Sequence, residues 1–350
     1  MITQKLDESD SLLAFTIGWV RALAARVEHL HVLCQERRLE TLTAPLPANV
    51  TTWSMGKERG YGRLREAVGF YRACGRAIRD VDVIFSHMIP RYVWFGAPYA
   101  MLHRKSQVLW YTHRHSNWEL RLAVAACKYI ASAVPGSFPL QTPKLRAVGH
   151  GIDSDFFVPG ADSIPDDPPL IVQVARLMPI KHQATLLQAV AAVPDIRAAL
   201  IGGTPSGQDP AYLNGLKALA RNLGITDRVT FTGGLRPEAV RDYYRRATVS
   251  VNLSPPGLFD KAALESMLVG APTIVCNSAF DALLGDHAER LRMAAPDDSA
   301  ALAARLRSLL ALSREERGAM GQDIRERVQA AHSLDGLMDR LVALMAEACR

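Results

Sequence analysis

Cysteine is scarce in this sequence, and no apolar run is long enough to cross a membrane. The 350 residues include five cysteines, which are widely scattered and form no C-x-x-C pair. A disulfide framework and a zinc cluster are therefore not indicated, and a reducing compartment fits best. No apolar run reaches the roughly 18 residues of a membrane span, and the first residues lack the apolar core of a signal peptide. We expect a cytoplasmic protein, with peripheral attachment to the inner membrane surface as an open alternative.

An excess of positive charge is confined to the first part of the chain. Residues 1–150 contain 20 Lys and Arg against 11 Asp and Glu, whereas residues 151–350 contain 21 against 24. A basic first half can attract an anionic acceptor or an acidic lipid surface, or it can be an ordinary solvated surface. The 49% hydrophobic and 22% charged residues are typical of globular proteins, and the length suits two domains. We expect no nucleic-acid partner and leave the oligomeric state open.

Short apolar segments alternate with amphipathic segments along the whole chain. The apolar segments are rich in Val, Ile and Leu with little polar alternation, as expected for parallel strands covered on both faces. These predicted strands are residues 29–35, 81–87, 107–112, 170–175, 198–202, 229–232, 249–253 and 273–276. The predicted amphipathic helices include residues 11–27, 62–78, 183–193, 211–223 and 237–246. The alternation predicts an α/β protein with parallel sheets.

Residues 158–169 form the clearest domain boundary. Four prolines, one glycine and three aspartates within these twelve residues predict a linker that continues neither helix nor strand. We predict two doubly wound Rossmann-like domains facing a cleft, residues 1–158 and 159–332. A C-terminal helix over residues 333–350 is expected to pack back on the first domain. Ligands of such sheets bind beyond the carboxyl ends of the strands, often at helix N-termini.

A basic loop follows the predicted strand at residues 170–175. Arg176 comes directly after this strand, and Lys181 lies close to the start of the next helix. A forked guanidinium, a flexible ammonium and the helix amides together suit a diphosphate. Two solvated surface charges are the alternative interpretation.

Glycine pairs end the next two strands. Gly202 and Gly203 follow one strand, and Gly233 and Gly234 follow the other, ahead of Leu235. Glycine lets a backbone approach a ligand closely, so the second pair can admit a flat nucleobase, although either pair can simply form a tight turn. Gly203, Gly234 and Leu235 are therefore candidate ligand-binding residues.

Residues 251–272 carry the most specific pattern. An apolar strand runs into a Pro-Pro-Gly turn, and a helix is predicted to begin near Asp260. Amides of the turn and of the first helical residues favour a phosphate. A surface ion pair between Lys261 and Glu265, four residues apart, is one interpretation. The other is that a carboxylate in so apolar a helix needs a partner, which ribose hydroxyls would provide. The candidates in this segment are Gly257, Leu258, Phe259, Asp260, Lys261 and Glu265.

His113 is the candidate catalytic residue of the first domain. It follows the predicted strand at residues 107–112, so we expect it to point at the cleft and contact a sugar or a reacting oxygen. A structural histidine is the alternative. Asp-x-Asp spacing occurs at residues 80–82 and 153–155, but the first pair touches a strand and the second precedes the linker. We predict neither a metal site nor a cofactor.

Together these segments resemble the family-four retaining glycosyltransferases of GT-B fold. Residues 148–159, with His150 and Gly151, are similar to that family's "hNGvD…F.P" segment. Residues 174–181 are similar to its "GRL…K" segment, and residues 249–272 to its "S…E…LEAMA.G.P" segment. The resemblance covers residues 145–285 well and the first domain loosely. It implies that Arg176 and Lys181 bind the donor diphosphate and that Glu265 binds the ribose.

The resemblance also implies a reaction, the transfer of a sugar with retention. Because neither Asp-x-Asp pair is interpreted as a metal site, we expect positive side chains to take the place of a metal. The donor is a nucleotide-diphosphate sugar bound by the second domain. The acceptor, bound on the side of the first domain, is unidentified, and an anionic or lipid-linked molecule fits the basic charge. The donor base, the sugar and the acceptor do not follow from the sequence.

One position departs from the family pattern. The family has two glutamates eight positions apart, and the first falls here on Gly257. The contact to the donor sugar must then come from elsewhere, and Asp260 or the amides of Leu258 and Phe259 are the candidates. Two alternatives stay open. A sugar-nucleotide epimerase shares the fold and needs no acceptor, and a non-catalytic nucleotide-sugar-binding protein is suggested by the missing glutamate.

Overall fold

The computed structural model describes residues 1–10, 13–160, 167–204 and 211–350. The chain divides into two compact units, the first comprising Met1–Gly151 with Leu334–Arg350 and the second Ile152–Ser333. Residues 152–158, which the sequence prediction assigned to the first domain, belong to the second unit. There the Ile152 amide donates to the His332 carbonyl at 2.9 Å, and Arg325 donates to the Phe157 carbonyl at 3.3 Å. Residues 161–166 of the predicted linker lie outside the described residues.

The secondary structure follows the predicted alternation. The strands are β1 Ile2–Leu6, β2 Leu30–Arg37, β3 Val50–Ser54, β4 Val83–His87, β5 Ser106–Trp110, β6 Tyr129–Ser132, β7 Leu145–Ala147, β8 Leu170–Val174, β9 Arg197–Ile201, β10 Val229–Gly233, β11 Val249–Asn252 and β12 Thr273–Val275. The helices are α1 Phe15–Ala24, α2 Arg63–Ala77, α3 Pro90–Leu102, α4 Trp118–Ala126, α5 Gln183–Ala192, α6 Ala211–Asn222, α7 Pro237–Arg246, α8 Lys261–Leu268, α9 Asp281–Leu284, α10 Ala288–Leu291, α11 Ser299–Leu310, α12 Arg314–His332 and α13 Leu334–Cys349.

All eight predicted strands and all five predicted helices correspond to elements of the structure. Residues 11–12 of the first predicted helix lie outside the described residues, and α1 begins at Phe15. The strands β1, β3, β6 and β7 were not among the eight predicted strands. They are short or partly polar, so their sequences carry little of the apolar signal that marks the other strands.

The first unit is built on a seven-stranded parallel sheet with the order β3-β2-β1-β4-β5-β6-β7. The order reverses beside β1, so successive right-handed crossovers place helices on both faces. α1 and α13 pack against each other on one face, and α13 covers β4, β5 and β6. α2, α3 and α4 lie side by side on the other face, over buried residues such as Leu33, Ile84 and Leu109. The sheet is thereby covered on both sides, as its apolar strands require.

The C-terminal helix α13 belongs to the first unit rather than to the second. Arg26 of α1 donates to the carboxylates of Asp335 and Asp339 at 2.8 and 2.6 Å. Arg340 donates to the Val148 carbonyl at 2.6 Å. These contacts and the buried apolar stripe of α13 attach the helix to a sheet that is made from the start of the chain.

The second unit is built on a five-stranded parallel sheet with the order β10-β9-β8-β11-β12. Four of its strands are largely buried, whereas the edge strand β10 is partly exposed. α8 packs on β11 and β12 with Leu264, Met267 and Leu268 turned into the core. Gly321 of α12 meets the turn after α8 so closely that a Cβ atom there would lie 2.0 Å from the Gly270 carbonyl oxygen. Both units are Rossmann-like, and the predicted fold class is confirmed in this respect.

No helix in the described part of the chain combines the length and the apolar character needed to cross a membrane.

Candidate functional site

The second sheet has one position at which its strand order reverses, between β8 and β11. Chain connections leave these two neighbouring strands in opposite directions, so a crevice opens beyond their carboxyl ends, where α/β proteins bind ligands. The loop after β8 carries Arg176 and Lys181. The loop after β11 carries residues 253–260. The structure therefore brings the two most specific predicted segments to the same edge of one sheet.

Two buried glutamines hold the loop that follows β8. The Gln173 amide on β8 donates to the Lys181 carbonyl at 2.7 Å, and the Gln183 amide at the start of α5 donates to the Arg176 carbonyl at 3.0 Å. The Leu177 amide donates to the Gly203 carbonyl at 3.0 Å, which ties the loop to the end of β9. The loop is thus fixed at several points, and the backbone from which Lys181 extends is held in place.

Lys181 lies at the centre of a polar cluster formed by both loops. Its Nζ lies 2.5 Å from Oδ2 of Asp260 and donates to Oγ of Ser254 at 2.9 Å. Ser254 also donates to Asp260, and the Asn252 amide donates to the same carboxylate at 3.3 Å. The side chains of Lys181 and Asp260 are only 12% and 24% exposed. The pair is therefore shielded from solvent more than an ordinary surface ion pair.

Asp260 occupies the N-cap position of α8, but its side chain makes no capping hydrogen bond to that helix. The carboxylate turns to Lys181 instead, so it neutralises the ammonium beside a helix N-terminus. The first amides of a helix have no intrahelical partner and favour an anion. The arrangement places a cation that is paired with a carboxylate of the protein beside helix amides of the kind that favour an anion.

The turn before α8 uses one of the backbone amides that were predicted to face a ligand. Gly257 has a φ of 90°, a conformation that favours glycine. The Leu258 amide donates to the Pro255 carbonyl at 3.2 Å, so this amide is used within the turn. The Phe259 ring is buried and stacks on Phe280 with ring centroids 4.4 Å apart. Phe259 therefore anchors the turn through its side chain.

The glycine pairs at the ends of β9 and β10 lie next to each other. The Gly202 amide donates to the Gly233 carbonyl at 2.9 Å, and a Cβ atom on Gly203 would lie 3.9 Å from the Gly234 nitrogen. Gly203 is partly exposed and Gly234 is exposed, with Leu235 partly exposed beside them. This strip of backbone without side chains lies at the ends of β10 and of β9, the direct neighbour of β8. Without side chains, the strip lets a ligand approach the main chain closely.

Lys261 and Glu265 lie one turn apart on α8, both partly buried. Burial raises the pKa of the Glu265 carboxyl to about 7, although the charge of Lys261 opposes this shift. Burial lowers the pKa of the Lys261 ammonium to about 8, and the charge of Glu265 opposes that shift in turn. Near neutral pH the Glu265 carboxyl can therefore accept or donate a hydrogen bond, which suits a partner with hydroxyl groups.

The raised pKa of Glu265 predicts a pH dependence of stability. We expect the wild-type free energy of unfolding to fall, relative to that of Glu265→Gln, as the pH rises from about 4.5 to about 7. A carboxyl with a raised pKa binds its proton more tightly in the folded protein than in the unfolded chain, so stability is lost as the pH rises through the folded value. Urea unfolding of both proteins across this range measures the difference. A difference that does not change with pH contradicts the raised pKa.

Arg176 and His113 are more exposed to solvent than Lys181. Arg176 is exposed, with its backbone carbonyl held by Gln183. His113 lies in the first unit, three residues after β5, where it is exposed and its ring centroid lies 5.5 Å from that of Tyr111. Of the predicted site residues, His113 alone belongs to the first unit.

In the described ranges, no group of three or more His, Cys, Asp or Glu side chains could hold a metal ion.

Four residues of the site were not predicted from the sequence: Gln173, Gln183, Asn252 and Ser254. All four are at most 5% exposed. A polar side chain at or near the end of an apolar strand is a signal that could have identified Gln173, Asn252 and Ser254, because a buried polar group must find a partner. Gln183 begins α5 and carries no such signal.

Comparison with known proteins identifies the second unit. Residues 158–327 match the family model described as Glycosyl transferases group 1. The D-inositol 3-phosphate glycosyltransferase of Mycolicibacterium smegmatis is 34% identical over 138 residues, which are 37% of this chain and 32% of that protein. Its counterpart from Acidothermus cellulolyticus is 31% identical over 145 residues. This chain thus spans about a third of the length of these curated relatives.

Solved structures match the whole chain. Anabaena Alr3699/HepE in complex with UDP and glucose has a TM-score of 0.76 at 16% identity, covering 99% of both chains. Sucrose-phosphate synthase from Thermosynechococcus elongatus has a TM-score of 0.74 at 19% identity, covering 99% of this chain and 98% of the other. The chain has the GT-B fold and contains a Glycosyl transferases group 1 domain, as the sequence resemblance predicted.

Proposed function

We propose that this chain is a retaining glycosyltransferase that transfers a sugar from a nucleotide-diphosphate sugar to an anionic or lipid-linked acceptor. The cluster of Lys181, Ser254 and Asp260 at the reversal point of the second sheet is the observation that carries the proposal. It joins a shielded cation, a helix N-terminus and an adjacent strip of bare backbone in a Glycosyl transferases group 1 domain.

The donor would be held by groups along this sheet edge. The diphosphate would bind to Arg176 and to Lys181, whose ammonium would pass from the Asp260 carboxylate to a phosphate oxygen. The ribose would bind the Glu265 carboxyl, and the base would lie against Gly203, Gly234 and Leu235. Asp260, released from Lys181, would then be available to hydroxyl groups of the sugar. This exchange offers a replacement for the glutamate that is missing at Gly257.

Catalysis would rest on electrostatic stabilisation of the leaving group. Negative charge develops on the diphosphate as the bond to the anomeric carbon breaks, and preorganised positive groups lower the barrier most when they face that charge. Arg176, Lys181 and the first amides of α8 would supply them. His113 would contact the sugar or the reacting oxygen. The only support for this role of His113 is its position three residues after β5.

The relatives suggest which ligands to test first. Alr3699/HepE was solved with UDP, with UDP and glucose, and with UDP-glucose. The curated relatives from Mycolicibacterium smegmatis and Acidothermus cellulolyticus carry the name D-inositol 3-phosphate glycosyltransferase. UDP-glucose is therefore the first donor to test, and inositol phosphates are the first acceptors, consistent with the basic first 150 residues.

The proposal predicts that UDP raises the melting temperature of the protein. A ligand at a hundred times its Kd stabilises the native state by about 2.7 kcal/mol, which corresponds to roughly 5–10 °C for a unit of this size. Arg176→Ala should reduce the shift because one diphosphate contact is lost. Differential scanning fluorimetry with UDP, UDP-glucose and other nucleotide diphosphates measures it. The absence of a shift with every nucleotide diphosphate contradicts the proposal.

Product analysis separates the proposed activity from its alternatives. A glycosyltransferase releases UDP and glycosylates the acceptor with the anomeric configuration of the donor retained. An epimerase converts the UDP-sugar in the absence of acceptor. A binding protein shows the thermal shift without turnover on any acceptor, and that result would leave the nucleotide site in place but overturn the catalytic role.

A further inference from the structure

Helices α2, α3 and α4 of the first unit expose an apolar surface to solvent. In the described part of the chain, nine large apolar side chains are strongly exposed, and seven of them lie on these three helices. They are Leu64, Val68, Tyr71, Met101, Leu102, Trp118 and Leu122, with exposures from 37% to 80%. The outer faces of surface helices are normally polar. Clustered exposure of this kind marks an interaction site.

The apolar stripes of the outer two helices are joined across the helix between them. On α2, Leu64, Val68 and Tyr71 share one face at helical spacing. The Tyr71 ring lies 6.1 Å from that of Phe95 on α3. On the same helix Trp94 lies 4.3 Å from Phe95 and 5.8 Å from Trp118 on α4, measured between ring centroids. The aromatic side chains therefore make the three helices one continuous apolar surface, which we call the α2–α4 face.

Positive charge adjoins the α2–α4 face on α2 and α4. Residues 63–128 contain eleven Lys and Arg against four Asp and Glu. On α2, the exposed Arg65, Arg72 and Arg76 form a stripe that adjoins the apolar stripe. On α4, the exposed Arg121 lies next to Leu122. Long basic side chains can reach phosphate groups while their apolar stems follow the surface of a membrane.

We propose that the α2–α4 face binds a membrane surface that contains anionic phospholipid. Leu, Trp and Met side chains would enter the boundary between headgroups and acyl chains, and the arginines would contact lipid phosphates. This combination of apolar and basic side chains on the surface of helices is typical of proteins that lie on a bilayer. Acidic lipids add the charge complementarity that a neutral partner lacks. The inference concerns binding of the first unit and does not depend on the proposed activity.

Vesicle sedimentation tests the proposal on the full chain. We expect the wild-type protein to pellet with vesicles of equal parts phosphatidylglycerol and phosphatidylcholine, and to pellet less as ionic strength rises. The double substitution L64E/W118E should weaken binding at least roughly tenfold, because two apolar anchors are replaced by charges. The triple substitution R65Q/R72Q/R76Q should weaken it roughly fivefold per arginine on acidic vesicles.

Leu39→Glu is the matched control, because Leu39 is also exposed in the first unit but lies outside the three helices. It should bind like the wild-type protein. Equal melting temperatures establish that the exposed substitutions leave the fold intact. The proposal is overturned if the wild-type protein does not pellet with acidic vesicles, or if L64E/W118E pellets as well as the wild type. It is also overturned if the protein is a dimer without lipid and L64E/W118E is a monomer, since the face would then bind a second copy.

Discussion

Replacing Lys181 with alanine is expected to lower kcat/KM for the nucleotide-diphosphate sugar by at least about a hundredfold. Removing a single preorganised group that stabilises a developing oxyanion typically costs a factor of roughly 10²–10³. The substitution also leaves the Asp260 carboxylate, now 2.5 Å from the ammonium, without this cation. An uncompensated negative charge would then face the diphosphate. Steady-state kinetics with a saturating acceptor and UDP release as the readout measure the loss.

The double variant Lys181→Ala/Asp260→Asn separates the loss of the Lys181 cation from the repulsion of the diphosphate by an unpaired Asp260 carboxylate. If repulsion by Asp260 contributes, this variant recovers part of the lost activity, because it removes the carboxylate together with the ammonium. Ser254→Ala is the matched control, since it removes a neutral hydrogen-bond partner of Lys181 and keeps both charges. We expect a loss of at most about tenfold for this control. Full activity of Lys181→Ala in a correctly folded protein would exclude the diphosphate role.

Replacing Gly202 with alanine is expected to lower the free energy of unfolding by roughly 2–4 kcal/mol. Gly202 has a φ of 147°, and a Cβ atom there would lie 2.0 Å from the Ala175 carbonyl oxygen. The obstacle is backbone at the point where β8 enters the Arg176 loop, so no side chain can move aside. Alanine must therefore displace either the loop or the end of β9. Urea unfolding of the full chain measures the loss.

Gly203→Ala provides the comparison within the same turn. The nearest atom to its added methyl group would be the Gly234 nitrogen at 3.9 Å, an ordinary contact distance. We expect a change in stability within about 0.5 kcal/mol. If the base lies on this strip, the methyl group should nevertheless weaken UDP binding. Equal stability of Gly202→Ala and Gly203→Ala would show that the backbone at Ala175 moves at little cost to make room for a methyl group on residue 202.

The parallel strands were predictable because burial on both faces demands apolar residues at successive positions. β8 is a short run of this kind, and β11 is buried throughout although Ser250 and Asn252 are polar. The ends of these two strands identified the loops of the site. β3 could not be predicted in this way, because it lies at the edge of its sheet and its sequence is Val-Thr-Thr-Trp-Ser. A strand paired on one side only needs fewer apolar residues, so the periodic signal is weak.

The sequence predicted which loops form the site, but it did not predict which side chains of those loops contact each other. Lys181 was predicted as a diphosphate ligand, and Asp260 was considered separately as a contact to the sugar. The structure joins their side chains although they are 79 positions apart in the chain. Sequence spacing reveals partners within a helix, such as Lys261 and Glu265, because helix geometry is regular. It does not reveal a pair that forms only when two strands become neighbours in a sheet.

The placement of α13 sets an order for biosynthesis. The first unit draws its covering helix from Leu334–Cys349, and that helix lies over β4, β5 and β6. On the ribosome, residues 152–333 are complete before this helix is made, so the second unit can fold first. The part of the sheet face formed by β4, β5 and β6 stays uncovered until α13 has been synthesised, at residue 349. We therefore expect the first unit to complete its fold after the second unit, in contrast to the usual succession in which the domain made first matures first.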